Sequence, residues 1–420
     1  MKTLFKNPLQ IATVDTKSRH FKRGKELSDI GLLFEHSILV EDGIIKDFIP
    51  DTSISKITVD RTIDLKDLIL LPGLIECHTH AAYAGTRANE FLMRLKGATY
   101  EEIANAGGGI TSTMHAVRNS SFEELVKLLK PRVDHFISQG VTTLEIKSGY
   151  GLSYYDEIKL LQVINHFKTH SAIEIIPTFL GAHTYPPEYK NDHKQYLDLI
   201  INELLPYIIK NNLANHVDAF CEKTAFSSDE VEKIFSNAKK LGYKLRLHSE
   251  QFNNVGGVDV ALKLKALSVD HLEVISKNDI PKLSKSETVA VLLPGVSFFL
   301  DYDYAPARML IENDAIVALA TDFNPGSSHI PNLHLIMQLA ALKLKMSIEE
   351  IISAVTINAA KAVDLNERVG SIEIGKQADF AVFAAKEFSE IIYNIGINLN
   401  KYTIKKGEII YEAYLKRSIL

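Results

Sequence analysis

The stretch HVDAFCEKTAFSSDEVEKIFSNAKKLGYKLRLH, residues 216–248, decides the fold. It opens on an apolar run, His216–Cys221, that reads as a buried strand. Ser227-Ser-Asp-Glu230 follows as a capping box. In such a box the serine hydroxyl takes the glutamate amide while the glutamate carboxylate reaches back to the serine amide. The helix begun there should stop at Gly242, since glycine enters the left-handed conformation that ends helices at little cost. Lys244–Leu247 is then a second short strand, closed by His248. The pattern is strand, helix, strand.

The same pattern extends in both directions. Upstream, Ser121-Phe-Glu-Glu124 is another capping box with its stop at Gly140, followed by the strand Val141–Ile146. A periodic helix over about 155–167 leads to the strand Ile173–Leu180, and a helix over about 194–209 leads back to His216. Downstream, a helix near 256–265 precedes the strand Leu267–Leu272, and Thr288–Leu293 and Ala315–Ala320 continue the series. With Leu68–Ile75 in front this makes eight strands separated by helices. Eight βα units in one run predict an α/β fold, a (β/α)8 TIM-type barrel rather than an open sheet.

The two ends differ from this middle and resemble each other. Ser37–Val40 and Ile44–Ile49 flank Asp42-Gly43, a strong hairpin signal, and Tyr402–Ile404 and Glu408–Tyr411 flank Lys406-Gly407 after a strand at Ala378–Phe383. Each piece is too small to bury a core alone. The expected division is a small β-sandwich domain from residues 1–68 together with 366–420, and a barrel over 69–365. A chain of 420 residues suits one barrel of roughly 250–300 residues plus such a domain.

Composition excludes several classes. The chain is 46% apolar and 24% charged, as an ordinary globular protein is. A net charge of −5 and the lack of a Lys/Arg block give no reason to expect nucleic acid or an anionic membrane as partner. No apolar run approaches the roughly 18–20 residues that span a bilayer, and the run after Met1 is broken by Lys6, Asn7 and Asp15, unlike a signal peptide. Two cysteines, Cys77 and Cys221, make no disulfide framework; both are read as buried core, and a reducing cytoplasm fits best.

In a barrel the chemistry lies at the C-terminal ends of the strands. Strand one closes in Cys77-His78-Thr79-His80, whose two imidazoles at i and i+2 can point the same way. Strand five closes in His248, strand six carries His271, and strand eight closes in Thr321-Asp322. With fifteen histidines in the chain, any one alone means little. Placement at separate strand ends makes the combination informative. His78, His80, His248 and Asp322 form a nitrogen and oxygen set suited to one metal ion, zinc or iron, with water completing the shell.

Here the sequence resembles a family. Pro72-Gly-Leu-Ile-Glu-Cys-His-Thr-His80 is similar to the first-strand signature of the amidohydrolase superfamily, which takes ligands from strands one, five and eight and a functional histidine from strand six. Longer segments resemble the imidazolonepropionase family: Arg94-Leu-Lys-Gly-Ala-Thr-Tyr-Glu-Glu-Ile-Ala-Asn-Ala-Gly-Gly-Gly109, Leu144-Glu-Ile-Lys-Ser-Gly-Tyr-Gly-Leu152, Thr178-Phe-Leu-Gly-Ala-His183, Val217-Asp-Ala-Phe-Cys-Glu222, Val291-Leu-Leu-Pro-Gly295 and Ala320-Thr-Asp-Phe-Asn-Pro-Gly-Ser327. The likeness runs from about residue 71 to 380.

The resemblance implies hydrolysis of the cyclic amide C–N bond of 4-imidazolone-5-propanoate to N-formimino-L-glutamate by a metal-activated water, in histidine degradation. It implies one divalent or ferric ion per subunit, because strand four ends without the lysine that bridges two metals in binuclear relatives. Lys147, which closes strand two, is read as a structural or substrate-facing cation. Asp322 and His271 are the implied catalytic groups, the first moving the proton and the second orienting water or stabilising the oxyanion. Arg87 suits the substrate carboxylate, and Tyr100, Tyr150 and His183 resemble substrate-contacting positions. Asn324, Gly326 and Ser327 follow strand eight as further candidate substrate contacts, although Pro325-Gly326 reads equally well as a plain turn. Some family members carry glutamate where this chain has Gln251; an amide transfers no proton that way, so Gln251 is expected only to hydrogen-bond substrate. The resemblance also allows for a homodimer. Two other readings stay open: deamination of a purine or pyrimidine-like ring on the same scaffold, and a metal-free barrel that has lost activity.

Overall fold

A computed structural model of the chain describes residues 1–98, 102 and 108–413. Strands β1 (Lys2–Lys6), β2 (Gln10–Ala12), β3 (Leu32–Leu33), β4 (His36–Glu41), β5 (Ile44–Pro50), β6 (Arg61–Asp64) and β7 (Ile69–Pro72) come first. The central series is β8 (Leu74–Glu76), β9 (Val141–Lys147), β10 (Glu174–Ala182), β11 (His216–Cys221), β12 (Lys244–Ser249), β13 (Ser268–His271), β14 (Val289–Leu292) and β15 (Val317–Leu319). The chain then returns to the terminal unit through β16 (Phe380–Phe383), β17 (Asn400–Lys405) and β18 (Glu408–Glu412).

Strands β8 to β15 form one eight-stranded sheet in sequence order, each parallel to the next. The sheet closes just beyond the strand ends, where Thr79 and Phe323 make a parallel bridge. The His80 amide donates to the Phe323 carbonyl at 2.9 Å and the Asp322 amide to the His78 carbonyl at 3.1 Å. The expected (β/α)8 barrel is therefore present, and its seam is sewn by residues of the candidate site.

The helix signals hold for physical reasons visible in the structure. Both capping boxes form, Ser121 with Glu124 and Ser227 with Glu230, opening helices Phe122–Ser138 and Ser228–Lys240. Gly140 and Gly242 follow with φ of +91° and +90°, the left-handed conformation that a side chain would strain. The helix expected over about 194–209 runs as three segments, with a wider π turn at Leu199–Leu204 between His193–Asp198 and Leu205–Lys210. Helix Leu333–Leu342 is pinned beside β9: His334 Nε2 lies 2.8 Å from the Gln139 carbonyl, and Gln139 Oε1 accepts the Leu333 amide at 2.8 Å. No helix among the described residues is long and apolar enough to cross a membrane.

The termini build two sheets, ordered β5-β4-β1-β6 and β18-β17-β16-β7-β2-β3. Phe5, Ile38, Val40 and Ile45 of the first pack against Ile11, Leu70, Phe380 and Ile404 of the second, with the Phe5 and Phe380 rings edge-on at 5.3 Å. Each such side chain contributes about 1.5–3 kcal/mol by leaving water. The expected first barrel strand, Leu68–Ile75, is divided. Ile69–Pro72 lies in the terminal sheet between β16 and β2, and only Leu74–Glu76 enters the barrel. Gly73 marks the transition; a Cβ there would sit 2.3 Å from the Thr142 hydroxyl.

Candidate metal centre

Six ionisable side chains, Glu76, Glu145, Lys147, Asp218, Arg246 and Asp270, stand inside the barrel below its C-terminal mouth, each essentially without solvent contact. Barrels are usually filled there by branched apolar side chains. Buried charges persist when paired, and five of these pair with one another or with the histidines above them, while Glu76 is satisfied by backbone amides.

His78 is held from behind. Its Nδ1 lies 2.6 Å from Asp270 Oδ2, which also accepts Arg246 Nη2 at 2.9 Å. That contact places the ring proton on Nδ1 and leaves the Nε2 lone pair bare, with no hydrogen-bond partner. His248 also has a carboxylate behind it: Asp218 Oδ1 lies 3.0 Å from its Nδ1 and accepts its backbone amide at 3.2 Å. Asp218 Oδ2 pairs with Lys147 Nζ at 2.9 Å, and Lys147 reaches Glu145 Oε1 at 2.8 Å. Glu145 in turn accepts the Thr79 amide at 3.0 Å. Lys147 thus lies fully buried between two carboxylates, as a structural cation. Burial and Arg246 oppose its charge, but Asp218 and Glu145 prevail and raise its pKa. Glu76 ties the tips of the first and last strands, accepting the amides of His78 at 3.0 Å and Thr321 at 3.1 Å; burial lifts its pKa to about 8.

The free faces of these histidines converge on Asp322. His78 Nε2 and His80 Nε2 are each 3.3 Å from Asp322 Oδ1, and His80 Nε2 is 3.2 Å from His248 Nε2. Asp322 Oδ1 is buried without a hydrogen-bond partner, while Oδ2 accepts Asn324 Nδ2 at 2.9 Å. Ligand atoms at about 2.0–2.1 Å from a tetrahedral zinc are separated by roughly 3.3 Å. The observed spacings match that edge, so the residues present fit a single ion. Burial, with Lys147 next, holds His78 well below its ordinary pKa and brings His80 to about 3; at His248 burial, helped by Lys147 and His80, outweighs Asp218 and the pKa falls to about 4. All three rings are neutral at pH 7, as metal ligands must be.

His271 stands beside this set. One ligand atom from each of His78, His248, His271 and Asp322 lies within 4.8 Å of the others. Its backbone is left-handed, φ +86°, as is that of Asp322 at +48°, and such strain in non-glycine residues is concentrated at functional sites. Burial works against a charged His271 ring, but the Glu273 carboxylate, 3.5 Å from Nδ1, outweighs it and raises the pKa.

Around the mouth, Arg87 pairs with Glu90 through Nε at 2.8 Å and Nη2 at 2.7 Å, and Glu90 accepts the Gly109 amide at 3.0 Å. Gly326 lies directly against the guanidinium; a Cβ there would be 2.0 Å from Arg87 Nη1. The Tyr150 ring is buried, 5.8 Å from that of His80 and 5.4 Å from that of His183. His183 stacks on His80 at 5.1 Å and its Nδ1 is 2.9 Å from the Gly149 carbonyl. Gln251 is buried just past β12. Asn324 is saturated by its own loop: beyond Asp322, its Oδ1 accepts the amides of Gly326 at 2.8 Å and Ser327 at 2.7 Å, and its Nδ2 lies 2.9 Å from Ser327 Oγ. Its visible work is to hold Asp322. Tyr100 lies outside the described residues. Cys77 and Cys221 are buried, and burial raises both thiols.

Asp270, Arg246 and Asp218 were not among the sequence expectations. A signal existed: Glu76, Glu145 and Arg246 each precede His78, Lys147 and His248 by two residues, and so share their inward face. A charge at that position of an apolar barrel strand has to find a buried partner.

The description "Amidohydrolase family" fits residues 69–410 of the chain. An imidazolonepropionase of Thermoanaerobacter pseudethanolicus is 44% identical over 386 residues, 92% of each chain. One from Alkaliphilus oremlandii is 41% identical over 97% of each chain, and one from Shewanella frigidimarina 42% identical over 96% of this chain and 97% of that one. Among solved structures, a zinc-bound adenosine deaminase from Xanthomonas campestris superposes with a TM-score of 0.71 at 16% identity, covering 97% of this chain and 92% of that one. Guanine deaminase of E. coli gives 0.71 at 15% identity, over 99% of this chain and all of that one. Identities this low speak for the fold alone. The chain belongs to the amidohydrolase family and, within it, to the imidazolonepropionases.

Proposed function

We propose that the protein hydrolyses 4-imidazolone-5-propanoate to N-formimino-L-glutamate, opening the cyclic amide in histidine degradation. The observation that carries this reading is 41–44% identity to imidazolonepropionases along more than nine-tenths of both chains.

His78, His80, His248 and Asp322 would hold one divalent or ferric ion, zinc or iron. Such an ion acidifies a water and polarises a carbonyl when bound. The chain's own residues do the rest. Asp322 accepts the proton of the attacking water and delivers it to the ring nitrogen as the C–N bond breaks, with Asn324 fixing its second oxygen. His271, its Nδ1 turned toward the Glu273 carboxylate, orients the attacking water or stabilises the oxygen on which negative charge develops. Arg87 takes the substrate carboxylate, its plane set by Glu90 and its approach left open by Gly326. Tyr150 and His183 line the opposite side of the ring, and Tyr100, Gln251 and Ser327 complete the contacts. Deamination of an uncharged base gives Arg87 no substrate carboxylate to bind, which disfavours that reading. The same proposal places the enzyme in the cytoplasm as a homodimer, with a terminal β-unit in a structural role, built from residues 1–68 and 366–420 and taking in Ile69–Pro72, and the barrel over the rest of 69–365.

The test is turnover of freshly generated 4-imidazolone-5-propanoate, followed by loss of ring absorbance, before and after chelation and after zinc or iron is restored. Turnover that vanishes with chelator and returns with metal is expected. A metal-loaded protein that leaves this substrate untouched would refute the assignment.

A further inference from the structure

Glu157 belongs to neither the ligand set nor the substrate contacts, yet its side chain is fully buried near the mouth. It lies in the first turn of the helix Tyr154–His170. The helix start is already served by Ser153, whose hydroxyl accepts the Asp156 amide at 3.2 Å. The Glu157 carboxylate turns back instead onto the preceding loop and accepts the amides of Gly149 at 3.1 Å, Gly151 at 2.8 Å and Leu152 at 2.9 Å. Three amides from one loop converge on a single buried carboxylate.

That loop holds a shape it would not keep alone. Gly149 has φ +99° and Leu152 +51°, and a leucine in the left-handed region costs on the order of 1 kcal/mol. Gly151 lies so close to the helix that a Cβ would be 2.5 Å from the Glu157 nitrogen. The loop has two outputs at the site. One is the Tyr150 ring. The other is the Gly149 carbonyl, 2.9 Å from His183 Nδ1, which sets the tautomer and leaves Nε2 as an acceptor.

We propose that Glu157 is a positioning residue for substrate recognition, its carboxylate shaping the Gly149–Leu152 loop so that Tyr150 and His183 meet the substrate together. This rests on the reading of Tyr150 and His183 as substrate contacts given above.

The test compares native enzyme with Glu157→Gln and Glu157→Asp at equal metal content. Glu157→Gln is expected to raise KM at least about tenfold while kcat stays within about threefold, the mark of lost binding rather than lost chemistry. Glu157→Asp, which keeps the charge on a shorter arm, should fall between. In a Tyr150→Phe/His183→Asn background the KM effect of Glu157→Gln should shrink below about twofold, because residues acting through one another are not additive. Unchanged KM with a lower melting temperature, full additivity, or failure of both variants to fold would overturn the proposal in favour of a structural role. If native enzyme leaves the substrate untouched, nitrogen-15 NMR of the histidine rings decides separately. The His183 signal, identified by its loss in His183→Asn, should report the Nδ1–H tautomer in native protein and lose it in Glu157→Gln. An unmoved signal overturns the proposal.

Discussion

Asp270 Oδ2 lies 2.6 Å from His78 Nδ1, and neither side chain touches solvent. A carboxylate behind a metal-facing imidazole fixes the ring and raises its basicity. Asp270→Asn keeps the shape and removes the charge that also neutralises Arg246. Metal affinity is expected to fall about 10–100-fold, read by competition with a chelator of known strength. Affinity within twofold of native would deny Asp270 that role.

Asp322→Asn removes both the charge of a proposed ligand and the proposed proton carrier. At metal contents matched by elemental analysis, kcat should drop by about 100–10,000-fold, the usual contribution of a general acid–base group. Retention of more than a tenth of native kcat would move the proton work to His271.

Arg87→Gln is expected to raise KM about 10–100-fold with little change in kcat, since a charge-assisted contact to a carboxylate is worth about 1.5–3 kcal/mol. Gly326→Ala should move KM in the same direction with Arg87 intact, because the new methyl would sit 2.0 Å from Nη1 and push the guanidinium away. Normal KM in Gly326→Ala would show that the guanidinium can bind from elsewhere.

His334 gives a pH dependence distinct from the centre. Burial, opposed by its contact to Gln139, lowers its pKa from 6.5 to about 4. Above pH 6.5 neither the folded nor the unfolded chain protonates it. Between pH 6.5 and about 4 only the unfolded chain does, so stability falls with pH, by on the order of 3 kcal/mol in all. In urea unfolding of metal-free protein, His334→Gln should lose less stability than native between pH 7 and 4.5. Parallel curves would show that His334 is protonated equally in both states.

Much of this architecture was legible locally. Ser121 with Glu124 and Ser227 with Glu230 announce their helices because both partners lie within one turn, and Asp42-Gly43 announces its hairpin because both residues adopt positive φ. His78, His80, His248 and Asp322 could be picked out because each closes a strand. Their supports could not be paired from sequence: that Asp270 stands beside His248 but backs His78 depends on the register of β12 against β13 and on closure across the barrel. The break at Gly73 was hidden because Ile69–Ile75 is apolar almost throughout, and an apolar run does not say which of two sheets each half joins.

That break bears on how the enzyme is made. Ile69–Pro72 is anchored between β2 and β16, and the same short stretch of backbone leads within a few residues to His78 and His80. The N-terminal partner is available early in synthesis, but Phe380–Phe383 leaves the ribosome only after the whole barrel has been translated. The backbone leading to the proposed ligands His78 and His80 therefore gains its second terminal partner only once the last part of the chain has been made, and this edge of the site is completed when the two ends of the chain meet.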